Sequence, residues 1–299
     1  VHRLGQLLLA QPLYAAVMVL LLVLSPILSV FCVFLAAAII VLMTLQQGAK
    51  VGAFILLWVA VPAVVSFWFN GFGGYDALLV FCLLQWGLAI LMREYSSWTL
   101  VLEVLLLFAL LVLAGVHLAV PDIAAWWKSH LSQMYETSSV LTSLPDDEKQ
   151  RLSTLFSQYA TGLLTFYMMA FLFLGLMAGR YWQAVLSGGA DAFRASMLSI
   201  RMNRWVVWVA LAYTAGFLFK IPLCMDSISV VLMPFVVASL SLLHALVKQR
   251  TAFKVLIGLL YVGLLFMQYI VAPVLASIAL LDASLDFRQR IVDSSKQKN

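Results

Sequence analysis

The sequence predicts an all-α fold, a polytopic transmembrane bundle of eight to ten helices with a short extracytoplasmic helical insertion. Three observations carry that expectation. Of 299 residues, 64% are hydrophobic and only 10% charged, whereas a soluble domain carries about 25% charged residues. Such a chain cannot cover its surface in water, so lipid is the solvent for most of it. Apolar runs of span length recur along the whole sequence, separated by short polar connections. The basic residues gather beside some of those runs and avoid others, as the positive-inside rule requires. The reading is of one transmembrane domain over 1–299, with an extracytoplasmic insertion at 120–159 and a basic cytoplasmic loop at 180–204.

The first apolar region, 4–45, has room for two spans of about 20 residues each. Ser25-Pro26 marks the break, because proline cannot continue a helical hydrogen-bond ladder. That places helices at 4–24 and 27–45. Gln6, Gln11 and Pro12 weaken the first half of the first helix, which reads as partly interfacial. No small-residue cleavage site follows a short apolar core, so this segment reads as a retained span.

Further helices are expected at 51–69, with a kink at Pro62, at 75–92 and at 97–119. Trp68, Trp98, Trp182 and Trp205 fall at predicted helix ends, where an aromatic belt belongs. Within 120–159, Trp126, Trp127, Leu131 and Met134 suggest a surface helix. Pro145 followed by Asp146, Asp147 and Glu148 reads as a helix start, since acids favour the positive end of the helix dipole. That helix should run directly into the span at 160–179. The region reads as a cap on the bundle, with a ligand lid as the alternative.

Helices at 205–221 and 227–247 follow, the first with Lys220 able to snorkel outward and the second interrupted by Pro234. Asp226 reads as the cap of the second. Lys248, Arg250 and Lys254 mark another basic connection. The last apolar run, 255–281, is about 40 Å long as one helix at 1.5 Å per residue, so it is tilted or broken at Pro273. A break carries Arg288, Arg290, Lys296 and Lys298 to the basic side, which charge bias favours. Against it, 274–281 is short for a span.

The stretch 175–205 fixes the orientation. Arg180, Arg194, Arg201 and Arg204 stand there with one acid, Asp191. A cytoplasmic N-terminus follows, as does contact with anionic lipid headgroups. From Asp191 onward, Phe193, Met197 and Ile200 share one helical face, with Arg194 and Arg201 beside it. Arg180, Trp182 and Gln183 form a candidate recognition corner for an anionic headgroup or a partner's carboxylate.

The same stretch carries a resemblance. Arg180-Tyr181-Trp182-Gln183, Gly188-Gly189, Phe193-Arg194 and Ser199-Ile200-Arg201, together with the run from Leu281-Asp282-Ala283 to Asp286-Phe287-Arg288, resemble the YybS-like family of bacterial inner-membrane proteins. Tyr181 stands where that family has tryptophan, and the Asn-Pro before its paired glycines is missing. The resemblance implies a bacterial cytoplasmic-membrane protein. The family is in turn similar, more remotely, to substrate-binding membrane components of energy-coupling-factor vitamin transporters.

Other chemistry finds little support. Cys32, Cys82 and Cys224 lie far apart with no CxxC spacing. His117, His130 and His244 form no metal-spaced pair and read as interfacial polar residues. There is no nucleophile elbow, no phosphate-binding glycine loop, no cofactor motif and no nucleic-acid motif among the bases. Glu103 is the exception. It lies several residues inside an apolar run, where an ionised carboxylate facing lipid costs several kcal/mol. It reads either as a substrate or proton site, or as the ion-pair partner of Arg93 or Arg180. The glycines of Gly175-xxx-Gly179 and the small pairs Ala212/Gly216 and Ala272/Ala276 permit close helix packing, within the chain or against a partner subunit.

Three functions therefore remain open at this level. The first is a small-molecule binding or transport-related component without its own energy source, built around Glu103. The second is an interaction or scaffold protein whose membrane or cytoplasmic partner docks on the basic loop. A lipid-directed enzyme ranks third.

Overall fold

A computed structural model of the chain describes residues 2–25, 29–71, 73–137, 145–249 and 254–285. Pro26, Arg250, Asp286, Phe287 and the C-terminal bases of the sequence analysis lie outside the described residues, as does the side chain of Met134. All regular structure among the described residues is helical. The helices are α1 (His2–Ala10), α2 (Pro12–Leu24), α3 (Ser29–Gln47), α4 (Ala49–Asn70), α5 (Gly74–Tyr95), α6 (Trp98–Ala119) and α7 (Ile123–Thr137). They continue with α8 (Asp146–Leu186), α9 (Ala190–Leu198), α10 (Arg204–Leu218), α11 (Pro222–Gln249), α12 (Lys254–Phe266) and α13 (Gln268–Leu285).

Six of these are long and apolar enough to cross a membrane: α3, α4, α5, α6, α8 and α11. The pair α1 and α2 passes the same test jointly, but is bent by 115° between Ala10 and Pro12. Pro12 stands at the first position of α2, where its missing N–H costs nothing and leaves no hydrogen bond back into α1. The N-terminal weakness read from Gln11 and Pro12 is thus a sharp corner rather than a weak single span. Helices α10, α12 and α13 are apolar but shorter.

The chain divides into two compact units. The first comprises Val1–Val101 and Ala170–Ser199. Its centre is α3, where every residue from Ala36 to Met43 is buried, on all faces of the helix. A helix apolar all round belongs inside a bundle, and α2, α4 and α5 pack around this one. Gly179 brings α8 against it, because a Cβ there would collide with Val41 and the Ala38 carbonyl. The α3–α4 corner turns at Gly48 with φ +104°, a conformation that favours glycine. Arg93 of α5 closes this corner by donating to the carbonyls of Thr44 (2.8 Å) and Leu45 (3.2 Å). The guanidinium therefore sits at the negative end of the α3 dipole.

Gly175 of the glycine pair faces Gln85 of α5. Gln85 is wholly buried, and neither atom of its amide finds a hydrogen-bond partner among the described residues. A buried unpaired amide costs about 1–3 kcal/mol. Gln85→Met, of nearly equal volume, should therefore raise the thermal midpoint in detergent; a lower midpoint would show that the amide has a partner.

The second unit comprises Leu102–Met169 and Ile200–Asn299. Its described part is built on α11, which packs on α10 and α13. Ser239 of α11 donates to the Leu275 carbonyl of α13 at 2.6 Å, and a Cβ on Gly216 of α10 would overlap Cys224. The small residues at 175, 179 and 216 therefore all serve packing within the chain. The apolar run at the end does break, but at Met267 and not at Pro273, which lies inside α13. At that break Val271 of α13 packs closely on Gly263 of α12.

Two aromatic assignments change. Trp68 is 82% exposed near the end of α4, as the aromatic belt requires, but Trp98 and Trp182 are buried in protein. Trp98 stacks edge-on with Phe173 and Phe193 and donates to the Ser196 hydroxyl at 3.1 Å. Large apolar side chains remain exposed along the spans, Leu57, Val61, Val64 and Val65 of α4 among them. This is the lipid-facing pattern expected when the solvent is a bilayer.

Candidate functional site

The seven residues singled out from sequence fall in both units. Arg180, Trp182, Gln183 and Arg194 belong to the first, and Glu103, Arg201 and Arg204 to the second. Residues 180–186 are not loop: they form the last turns of α8, a single helix of 41 residues. Arg180 donates to the side-chain oxygen of Gln183 one turn on. Trp182 lies on another face, buried against Gly5 of α1. Within the expected recognition corner, arginine and glutamine thus meet each other while the tryptophan anchors α1. Arg194 is largely exposed and pairs with Asp191 at 3.3 Å. Such an exposed pair contributes little to stability. Phe193 points inward and packs on Trp98 and Tyr181. Helix α9 ends at Leu198, so buried Ile200 lies beyond it.

Glu103 is buried, and its carboxylate accepts the backbone N–H of Asn203 at 3.2 Å. Asn203 is the N-cap of α10 and makes no side-chain cap of its own. The carboxylate of α6 therefore supplies both an acceptor and a negative charge at the positive end of α10. Arg93 and Arg180 find partners elsewhere. Beside this contact, Arg201 donates to the Asp282 carbonyl at 3.3 Å. The Ser-Ile-Arg motif and the C-terminal Leu-Asp motif thus meet at one place in the fold. Arg204, the first residue of α10, is exposed.

A different group of side chains gathers around the far end of α6, also within the second unit. Asp226 was expected to cap a helix starting at 227. Helix α11 in fact starts at Pro222, whose ring suits the first helical position. Asp226 consequently lies inside the helix, only 3% exposed. Its Oδ1 accepts the backbone N–H of Gly162 in α8 at 2.6 Å. Its Oδ2 lies 3.2 Å from Nε2 of His117, two residues before the end of α6. A carboxylate accepts here only if Nε2 carries a proton. Next to Gly162, the Thr161 hydroxyl accepts the indole N–H of Trp127 in α7 at 2.8 Å. The network ties four helices together.

Gly162 makes the arrangement possible. A Cβ at that position would overlap the Asp226 carbonyl oxygen, so α8 and α11 touch backbone to backbone. Over this network opens a cleft of about 310 Å³, lined by His117, Asp122, Ser157, Gln158, Met225 and Asp226 among others. Its volume is at the lower end of the range for small-molecule sites. Asp122 also caps α7, accepting the Ala125 N–H at 2.9 Å. No group of three or more metal-ligating side chains occurs among the described residues.

Sequence reasoning passed over this site because His117 sits near a helix end and Asp226 near an expected one. One signal was available: Asp226 is the only acid between Asp191 and Asp282, in otherwise apolar sequence. That isolation is what made Glu103 conspicuous, and it applies equally here. No known family model matches the chain, and no curated protein or solved structure is significantly similar to it.

Proposed function

We propose that the protein is a small-molecule binding component of a bacterial cytoplasmic membrane, related to transport and lacking an energy source of its own. The observation that carries this is buried Asp226, paired with half-buried His117, at the floor of a cleft bounded by α6, α7, α8 and α11. Ionisable side chains inside apolar helices are costly and mark binding or ion sites by default. The resemblance to the YybS-like family supports the bacterial location, and the lack of a phosphate-binding loop supports dependence on a separate energising partner. If the bent α1–α2 pair and the short α10, α12 and α13 also traverse the bilayer, the spans number ten, within the eight to ten read from sequence.

Native mass spectrometry on the purified protein tests this reading. A small molecule should copurify with the wild type and be lost from a variant in which Ile123→Trp fills the cleft. Equal release from both proteins would remove the cleft from consideration. Orientation has its own test, in a background free of the three native cysteines. A cysteine at exposed Ser132 of α7 should be labelled from outside, and one at Ser187 only after permeabilisation. The reverse pattern would invert the topology.

A second reading rests on Arg194, whose side chain is 68% exposed in the first unit. There the protein holds anionic headgroups or docks a partner. Lysine at Arg194 preserves headgroup attraction, worth about 1 kcal/mol per base. It does not preserve a bidentate contact with a partner's carboxylate.

A further inference from the structure

We infer that the cleft binds a small organic ammonium ion in exchange for a proton held by His117. The inference rests on the binding reading above and specifies its ligand. Among the described residues, two carboxylates, Asp122 and Asp226, border the cleft, and no lysine or arginine does. An anionic ligand would meet exposed Asp122 at the rim and then the buried Asp226 carboxylate, in a region of reduced dielectric where like charges repel strongly. A cation meets a buried carboxylate that already needs a positive partner.

Among the described residues, two titratable groups line the cleft beside Asp226. From α6 the facing group is His117, and from the turn before α7 it is Asp122. Helix α8 presents the Gly162 N–H and Gln158, neither of which titrates. Helix α11 brings Asp226 itself. His117 is therefore the one cationic partner the cleft supplies to Asp226 among the described residues, and its side chain is 18% exposed rather than sealed. Protonated, the imidazole neutralises the carboxylate of the empty site. An arriving ammonium takes over that role, and the imidazolium gives up its proton to water. One positive charge enters and one leaves, the carboxylate stays ionised throughout, and no covalent bond other than N–H is broken. The walls suit such a ligand: Ile123, Met225 and Pro222 offer apolar contact to its carbon skeleton, while Ser157 and Gln158 supply polar groups.

The exchange is measurable on the full chain in detergent micelles with ¹⁵N-labelled histidine. His117 is assigned by the resonance missing from His117→Gln, and butylammonium serves as the probe with 1-butanol as its neutral counterpart. The His117 titration midpoint should move to lower pH as butylammonium is added. Apparent butylammonium affinity should fall about tenfold per pH unit below that midpoint, the linkage of one proton to one ligand. His117→Gln should flatten that slope, and Asp226→Asn should abolish butylammonium binding. Should Asp226→Asn not fold, Ile123→Trp should block the probe while His117 still titrates. A midpoint unmoved by tens of millimolar butylammonium overturns the exchange, as does a shift that 1-butanol reproduces. An uncharged or anionic molecule copurifying in the cleft would likewise overturn it, yet leave the binding reading standing.

Discussion

Gly162→Ala should destabilise the protein by about 3–5 kcal/mol, an unusually large effect for adding one methyl group. In an ordinary helix interior the same change gains about 1 kcal/mol, because alanine is the better helix former. Here the added carbon would occupy the space of the Asp226 carbonyl oxygen. Backbone cannot rotate away as a side chain can, so α8 and α11 must separate. Separation lengthens the 2.6 Å bond from the Gly162 N–H to the Asp226 carboxylate and loosens the network that reaches His117 and Trp127. The steric and electrostatic losses add, and both exceed the gain in helix propensity. Thermal unfolding in detergent reads the effect as a lowering of about 10 °C. A variant that melts with the wild type would mean that the two backbones have room to spare. Gly258, whose Cβ would meet open space, is the control at which alanine should be harmless.

Glu103→Ala should cost about 2 kcal/mol, and Glu103→Gln only about 1 kcal/mol. Alanine removes the acceptor for the Asn203 N–H and leaves a gap in buried surroundings, whereas glutamine keeps an acceptor there and loses only the charge. Measuring both variants separates the roles considered for this carboxylate. Equal losses would show that the charge carries the whole effect, as an ion pair demands, and would sink the capping role. Loss of ligand with no loss of stability in the glutamine variant would move the binding site to this end of α6. Neither is expected, because the carboxylate is already engaged at the start of α10.

The contrast between Glu103 and Asp226 shows what could be read from the chain alone. The spans were legible because composition reports the solvent, lipid admits only helices and closed barrels, and apolar runs of about 20 residues fit the helix. Helices α4, α5 and α6 accordingly begin and end within three residues of their expected limits. The union of 146–159 with the following span was legible from Pro145 and three acids. The bend at Gln11 was half legible: Pro12 was seen as a weakness, but a 115° turn depends on what α1 packs against. The break at Met267 was not legible, since a methionine carries no signal and the proline nearby drew attention away. Partners were the least legible. Glu103 and Asp226 are equally isolated acids, and only the fold reveals that one serves a helix end while the other lies beneath a cleft. Chemistry at a single position says that a buried charge needs a partner; it does not say which.

The burial of α3 on every side has a consequence for how sequence variation should be distributed along the chain. In α4, positions such as Leu57, Val61 and Val65 look outward and need only remain apolar, so residues of many sizes fit them. Between Ala36 and Met43 no position has that freedom. Each is bounded by a neighbour, so each carries an upper limit on volume as well as a demand for low polarity. A saturation library should therefore show a helical stripe of permitted sizes along α4 and an unbroken eight-residue block along α3. Within that block Ala36, Ala37 and Ala38 would reject leucine as firmly as lysine. Hydropathy treats those two substitutions as opposites, but a helix walled in by its neighbours excludes both.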